Sequence, residues 1–264
     1  IIGFGKLGGI ELSYGSDLDL VFVHDAPSNL TTVGGNKEIA NDVFFTRLGQ
    51  RIIHILNTFT TSGQLYEVDM RLRPSGNSGL LVSSLNAFEA YQMKEAWTWE
   101  HQALVRARVV AGSNRLKAEF EGVRAKVLCK DRDSDALREE VIAMRQKMRD
   151  HLGSAEGSDE FNIKQDAGGI VDIEFAVQYL VLKNAKDSAP LYEFTDNVRI
   201  IDALADAGYL DDDQAEVLSE SYKTYRALGH RQTLQNAKGV VTKDALLEMR
   251  EGVSNVWKAL LEID

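Results

Sequence analysis

Asp17 and Asp19 stand two residues apart among Leu18, Leu20, Val21, Phe22 and Val23, an apolar and β-branched run that reads as a strand buried on most of its surface. Residues two apart on a strand share a face, so the two carboxylates point the same way, with Cα atoms about 7 Å apart. Like charges that close on an apolar strand repel each other and lose hydration, a costly arrangement unless a cation neutralises them. Carboxylate oxygens are hard ligands that suit Mg2+. Ahead of the strand lies a glycine cluster, Gly3, Gly5, Gly8 and Gly9, with Lys6 inside it and Gly15 and Ser16 abutting the aspartates. Glycines let a backbone approach a ligand and turn its N–H groups outward, which is how phosphates are cradled. A phosphate cradle followed by Asp-x-Asp is the constellation of a nucleotidyltransferase, in which metals hold a triphosphate while a hydroxyl attacks the α-phosphorus.

Two other phosphate-binding patterns fail. Gly3-Phe4-Gly5-Lys6-Leu7-Gly8 spells G-x-G-x-x-G, but only Ile1 and Ile2 precede it, and a dinucleotide fold needs a strand there and a long crossover afterwards. The P-loop is excluded because Lys6 is not followed by Ser or Thr. The plain alternative, a tight turn before a core strand with solvated aspartates, is opposed by a third carboxylate. From Gln64 to Pro74, the residues Leu65, Glu67, Asp69, Arg71 and Arg73 alternate with Tyr66, Val68, Met70 and Leu72, the period of a strand with one polar face. If that strand lies beside the first, Asp69 completes the acid set that two-metal phosphoryl transfer requires. Arg71 and Arg73 then continue along the same face with donors suited to phosphate oxygens.

The run G-K-L-G-G-I-E-L-S-Y-G-S-D-L-D-L-V-F-V-H-D from Gly5 to Asp25 resembles the signature of the glutamine synthetase adenylyltransferase family, within the DNA polymerase β nucleotidyltransferase superfamily. V-D-M-R-L-R-P-S-G from Val68 resembles the place where that family carries its third acid, and W-E-x-Q-A-L-x-R-A-R from Trp99 is similar to it as well. The resemblance implies transfer of AMP from ATP to a tyrosine hydroxyl of glutamine synthetase, with Mg2+ or Mn2+ as cofactor. Asp17, Asp19 and Asp69 would be catalytic and metal-binding, with Asp69 taking the tyrosine proton. Gly3, Gly5, Lys6, Gly8, Gly9, Gly15, Ser16, Arg71 and Arg73 would bind nucleotide phosphates. Glu11, Arg106, Arg108, Lys164, Asp172 and Glu174 are secondary candidates. In this family one half of the polypeptide adds AMP and the other removes it, and the Tyr14-Gly15 step is closer to the C-terminal, adenylylating half. A PII-type signal protein is the further partner expected of the full-length enzyme. The rival readings are the deadenylylating half, a nucleotidyltransferase with another acceptor, and a non-catalytic binding module.

The elements that must position these residues give an α+β fold. A small mixed sheet with flanking helices, residues 1–112, is expected to form the catalytic domain. A helical connector over 113–160 and an all-helical bundle over 161–264 follow. Ser28 falls in an exposed loop, and Ile39, Val43, Phe44, Leu48, Ile52, Ile55 and Leu56 recur at helical spacing to cover the sheet. Asn86 is expected to cap the next helix, and Trp97 to Arg108 to be helical, which would leave at least one of Arg106 and Arg108 solvated. Glu139, Glu140, Arg145, Lys147 and Arg149 read as a solvated face, and Gly153 to Ser158 as a linker. Asp172 and Glu174 fit the first turn of a helix, where the dipole favours acids. Thr195, Asp211 and Thr242 mark later helix starts, the last helix ending near Ile263.

A net charge of −10 over 264 residues removes the general attraction that nucleic-acid binders use, so no nucleic-acid partner is expected. The single cysteine, Cys129, rules out an intramolecular disulfide and fits a cytoplasmic setting. No apolar run approaches the ~20 residues of a membrane helix. The chain lacks an initiator methionine and opens on strand-like residues, as a piece of a longer protein would.

Overall fold

The computed structural model describes residues 1–262 except 28, 65 and 156, so Ser28, Leu65, Glu156 and Ile263 lie outside the described residues. The chain divides into two compact units, Ile1–Val127 and Leu128–Asp264, and the expected connector over 113–160 is split between them.

The first unit runs β1 (Ile2–Gly3), α1 (Gly5–Gly8), β2 (Leu18–His24), α2 (Asn41–Leu56), β3 (Val68–Asp69), β4 (Val82–Ser84), α3 (Leu85–Lys94), α4 (Thr98–Val105), β5 (Arg108–Val109) and α5 (Asn114–Leu128). The expected mixed sheet is present, in the order β3-β2-β1-β5, with β4 also paired to β2. β1 is antiparallel to β2, whereas β3 and β4 are parallel to it and take successive stretches of it, Leu18↔Val68 and Asp19↔Asp69, then Phe22↔Val82 to His24↔Ser84.

Leu20, Phe22, Met70 and Val82 are buried together, and Phe45, Ile52 and Ile53 of α2 pack against them. A Cβ on Gly49 would stand 2.9 Å from Val82 and 3.2 Å from Phe22, so glycine is what lets α2 sit this close. The covering face is therefore Phe45, Gly49, Ile52 and Ile53, one helical stripe. Of the residues expected there only Ile52 takes part, and Val43, Phe44, Leu48, Ile55 and Leu56 are exposed.

Three expectations for this unit are corrected. The strand over Gln64 to Pro74 shrinks to Val68–Asp69, because the Asp69 carboxylate accepts the Arg71 N–H at 2.8 Å and the Arg73 N–H turns back to the Met70 carbonyl at 3.3 Å. Ser84 rather than Asn86 caps α3, its hydroxyl accepting the Ala87 N–H at 3.2 Å. The helix expected through Arg108 stops at Val105, where the buried Arg124 of α5 donates to the carbonyls of Leu104 at 3.0 Å and Val105 at 2.6 Å. β5 then pairs with β1, bringing Arg108 opposite Gly3.

The second unit holds α6 (Ser134–Leu152), β6 (Glu160–Asn162), α7 (Ile170–Asn184), α8 (Asn197–Asp206), α9 (Asp212–Leu234), β7 (Val240–Thr242) and α10 (Leu247–Leu261). It is helical as expected except for an antiparallel ribbon of β6 and β7, in which Thr242 pairs with Glu160 instead of opening a helix. Asp196, not Thr195, caps α8, whereas Asp211 caps α9 with Gln214 in a capping box. Arg145 also departs from expectation: it is buried, its Nε donating to Asp172 Oδ1 at 2.5 Å and its Nη2 to the Gln165 carbonyl at 2.6 Å. Asp172 Oδ2 accepts the Gly168 N–H at 2.7 Å, and Arg149 lies 3.3 Å from Oδ1. One carboxylate thus fastens α6 to the turn that opens α7.

Removing one partner of such a pair strands a buried charge. Asp172→Ala should lower stability by about 3–5 kcal/mol in a denaturant melt, whereas the exposed Glu139→Ala should shift it by no more than about 0.5 kcal/mol.

Candidate active site

The parallel register of β2 and β3 decides the site. Asp19 and Asp69 are direct partners across the two strands, and Asp17 precedes β2 by one residue. Partners in register project to the same side of a sheet. Carboxylate oxygens of Asp17, Asp19 and Asp69 accordingly lie within 4.8 Å of one another, with Asp17 exposed and the other two half-buried. The Leu18 N–H donates to the Glu67 carbonyl at 2.7 Å and the Phe4 N–H to the Asp19 carbonyl at 2.9 Å, so backbone on both sides fixes the strand carrying the acids.

Asp69 is held closely by Arg71. Arg71 donates its backbone N–H to Oδ1 at 2.8 Å and Nε to Oδ2 at 2.6 Å, and its Nη2 also pairs with Oδ2. That guanidinium, in contact, holds the Asp69 carboxyl below the usual carboxylate range. Asp69 in turn raises the Arg71 pKa, with smaller help from Asp17 and Asp19. Arg73 faces elsewhere, donating Nη1 to the Met70 carbonyl at 2.7 Å and Nε to the Gly79 carbonyl at 3.4 Å, and so braces the turn after β3.

The glycines divide by cause. Gly5 has a left-handed φ of +51°, and a Cβ there would collide with the Asp19 carboxylate. Gly8 abuts the Arg106 carbonyl, and a Cβ on Gly9 would stand 2.5 Å from the Arg106 guanidinium. A Cβ on Gly3 would meet Leu7 at 2.8 Å and Val110 at 2.9 Å. Packing within the chain therefore accounts for Gly3, Gly8 and Gly9, and only Gly5 is pressed against an acid of the cluster. Lys6 lies on α1, half-buried, and Gly15 is exposed. Ser16 is buried, its Oγ accepting the Ser13 N–H at 2.9 Å and lying 2.7 Å from Ser13 Oγ, which closes the turn just before Asp17.

Glu11, Arg106 and Arg108 surround α1. Arg106 is buried and paired with Glu11, while Arg108 donates Nε to the Gly8 carbonyl at 3.1 Å and Nη2 to the Leu7 carbonyl at 3.0 Å. Arg106 is buried and Arg108 half-buried, contrary to the helical expectation, because the helix ends at Val105, Arg106 lies in its closing turn and Arg108 is drawn onto β5 beside β1. Sequence reading missed Ile10. The Glu11 N–H returns to the Lys6 carbonyl at 2.8 Å and the Ile10 N–H to that of Leu7 at 3.3 Å, a Schellman-type ending with Ile10 at φ +58°. Glycine is usual there, so no sequence signal marked it, yet this turn carries Glu11 to Arg106. Lys164, Asp172 and Glu174 belong to the second unit: Lys164 is exposed, Asp172 is the buried fastening described above, and Glu174 accepts from Tyr222 at 3.4 Å.

A family model described as glutamate-ammonia ligase adenylyltransferase matches residues 1–123, and one described as GlnD PII-uridylyltransferase matches residues 137–257. Among curated relatives, the bifunctional glutamine synthetase adenylyltransferase/adenylyl-removing enzyme of Pseudomonas syringae pv. tomato is 56% identical over 97% of this chain and 27% of its own length. Those of Pseudomonas aeruginosa and Hahella chejuensis are 55% and 56% identical, each over 98% of this chain and over 28% and 27% of their own lengths. The chain spans little more than a quarter of the length of these relatives. With more than half of its residues identical to these enzymes over nearly its whole length, the chain belongs to the glutamate-ammonia ligase adenylyltransferase family.

Proposed function

We propose that this chain is the adenylylating catalytic piece of its parent enzyme, transferring AMP from ATP to a tyrosine hydroxyl of glutamine synthetase. The observation that carries the proposal is the convergence of Asp17, Asp19 and Asp69 within 4.8 Å on two strands in register. An all-oxygen, anionic donor set fits a hard divalent cation, and these three residues would hold Mg2+ or Mn2+. Such an ion, when bound, supplies charge neutralisation to the triphosphate and lowers the pKa of an acceptor hydroxyl.

The chain's own residues supply the rest. Gly5 lets the backbone of α1 lie directly against the Asp19 carboxylate, which any side chain there would displace. Lys6 and the exposed Arg71 carry the positive charge that a polyphosphate requires. Glu11, Arg106 and Arg108 act at one remove, holding α1 in place. In the reaction the tyrosine oxygen bonds to the α-phosphorus, the bond from that phosphorus to the bridging oxygen breaks, and pyrophosphate leaves. Asp69, on the acceptor side, receives the tyrosine proton. Among the described residues no helix is long and apolar enough to cross a membrane, and the setting proposed is the cytoplasm. The second unit, which matches the uridylyltransferase model, is proposed to meet a PII-type signal protein.

Incubating the chain with glutamine synthetase, ATP and Mg2+ and weighing the product by mass spectrometry should reveal an AMP adduct on a tyrosine. In Asp17→Asn its rate should drop by about 100-fold or more, since losing even an outer-shell partner of a metal ligand costs about 10–100-fold. Nucleotide bound without an adduct would point to another acceptor, and loss of AMP from a pre-adenylylated substrate to the adenylyl-removing half.

Gly5→Ala should abolish adduct formation by displacing Asp19, while lowering stability by only about 1–2 kcal/mol for the left-handed backbone. Gly122→Ala is the control: its Cβ enters open space on α5 and should stabilise by up to about 1 kcal/mol without touching the reaction.

A further inference from the structure

Arg71 is a cation in direct contact with the acid cluster. Its three contacts cover both oxygens of Asp69, one from the backbone and the others from the guanidinium, so the side of Asp69 that a divalent ion needs already faces a positive charge. The Arg71 side chain is nonetheless 73% exposed, while that of Asp69 is 14% exposed. It lies over the carboxylate from the solvent side and can leave without unpacking anything. Arg73 is no substitute, since its donors hold the Met70 and Gly79 carbonyls.

A guanidinium has two natural anionic partners here, carboxylate and phosphate, and it binds both through the same fork of donors. A polyphosphate placed at the triad brings more negative charge than Asp69 alone and competes for that fork. Resting on the metal-dependent nucleotidyl transfer proposed above, we propose that Arg71 is a latch on the third carboxylate. Without nucleotide it neutralises Asp69 and opposes a cation there. With nucleotide it moves to the phosphates and frees Asp69 for a metal. Metal uptake at Asp69 is then coupled to nucleotide, and by linkage each favours the other. Arg71 in this account is a positioning residue that also binds phosphate, and the coupling is its signature.

The test is Mn2+ titration followed by electron paramagnetic resonance, with and without the non-hydrolysable analogue α,β-methylene ATP. Wild type, Arg71→Ala, Arg71→Lys, Asp69→Asn and the Arg71→Ala/Asp69→Asn double variant are compared, each checked for an unchanged thermal melt. Without nucleotide, Arg71→Ala should bind Mn2+ about fivefold more tightly than wild type, the strength of a partly exposed ion pair. Arg71→Lys should lie between the two, and the gain should vanish in the Asp69→Asn background. With the analogue present the Mn2+ affinities of wild type and Arg71→Ala should converge, and the analogue itself should bind Arg71→Ala more weakly. Unchanged or weaker Mn2+ binding by Arg71→Ala without nucleotide, or a gain that persists in Asp69→Asn, would overturn the latch while leaving the reaction in place. Failure of wild type to bind either Mn2+ or the analogue would overturn the nucleotidyl-transfer reading and the latch with it.

Discussion

Two parallel strands in register hold like charges side by side, and the first unit is arranged around that constraint. Asp19 faces Asp69 because Leu18 pairs with Val68, and that pairing is held by the same core, Leu20, Phe22, Met70 and Val82, that buries the other side of the sheet. A shift of one residue would turn every side chain of β2 to the opposite face, burying the acids and exposing the core. Hydrophobic packing therefore enforces an electrostatic arrangement that the carboxylates themselves oppose. The opposition is relieved locally by Arg71.

Close approach is the second theme, and it runs as a chain of contacts through one unit. Arg124 holds the end of α4 through the Leu104 and Val105 carbonyls. The next residues, Arg106 and Arg108, grip α1 from outside. α1 in turn presses Gly5 against Asp19. Arg124 and Arg108 satisfy backbone carbonyls through several guanidinium donors, and Arg106 pairs with the Glu11 carboxylate. Of the arginines that the sequence offers to phosphate, Arg73 and Arg108 donate to backbone carbonyls and Arg106 pairs with Glu11, whereas Arg71 stands at the acids themselves.

Legibility followed the range of the cause. The Asp17 and Asp19 pair was readable because period-two geometry and an apolar run are local. Asp69 was readable for the same reason, although its strand proved two residues long, since an arginine two residues on captures the carboxylate and turns the chain. The resemblance to the family covered the same stretches and the comparisons agree with it. What escaped was non-local. Nothing near Arg108 announces that it will pair with Gly3, about a hundred residues earlier, and helical propensity carried the expected helix too far. Arg145 looked like one charge among many on a polar helix, and only the fold reveals Asp172 behind it. The α2 face was misplaced because exposed apolar residues outnumber the packed ones, and Gly49, the residue of closest approach, carries no hydropathy signal.

The most direct test of this account is a crystal of the chain grown with Mn2+ and α,β-methylene ATP, with the metal located by anomalous scattering. The account predicts Mn2+ bonded to oxygens of Asp17 and Asp19, within about 2.0–2.4 Å as hard divalent ions are, and with Asp69 directed into the same centre. Mn2+ bound away from these carboxylates while the analogue occupies the first unit would contradict it.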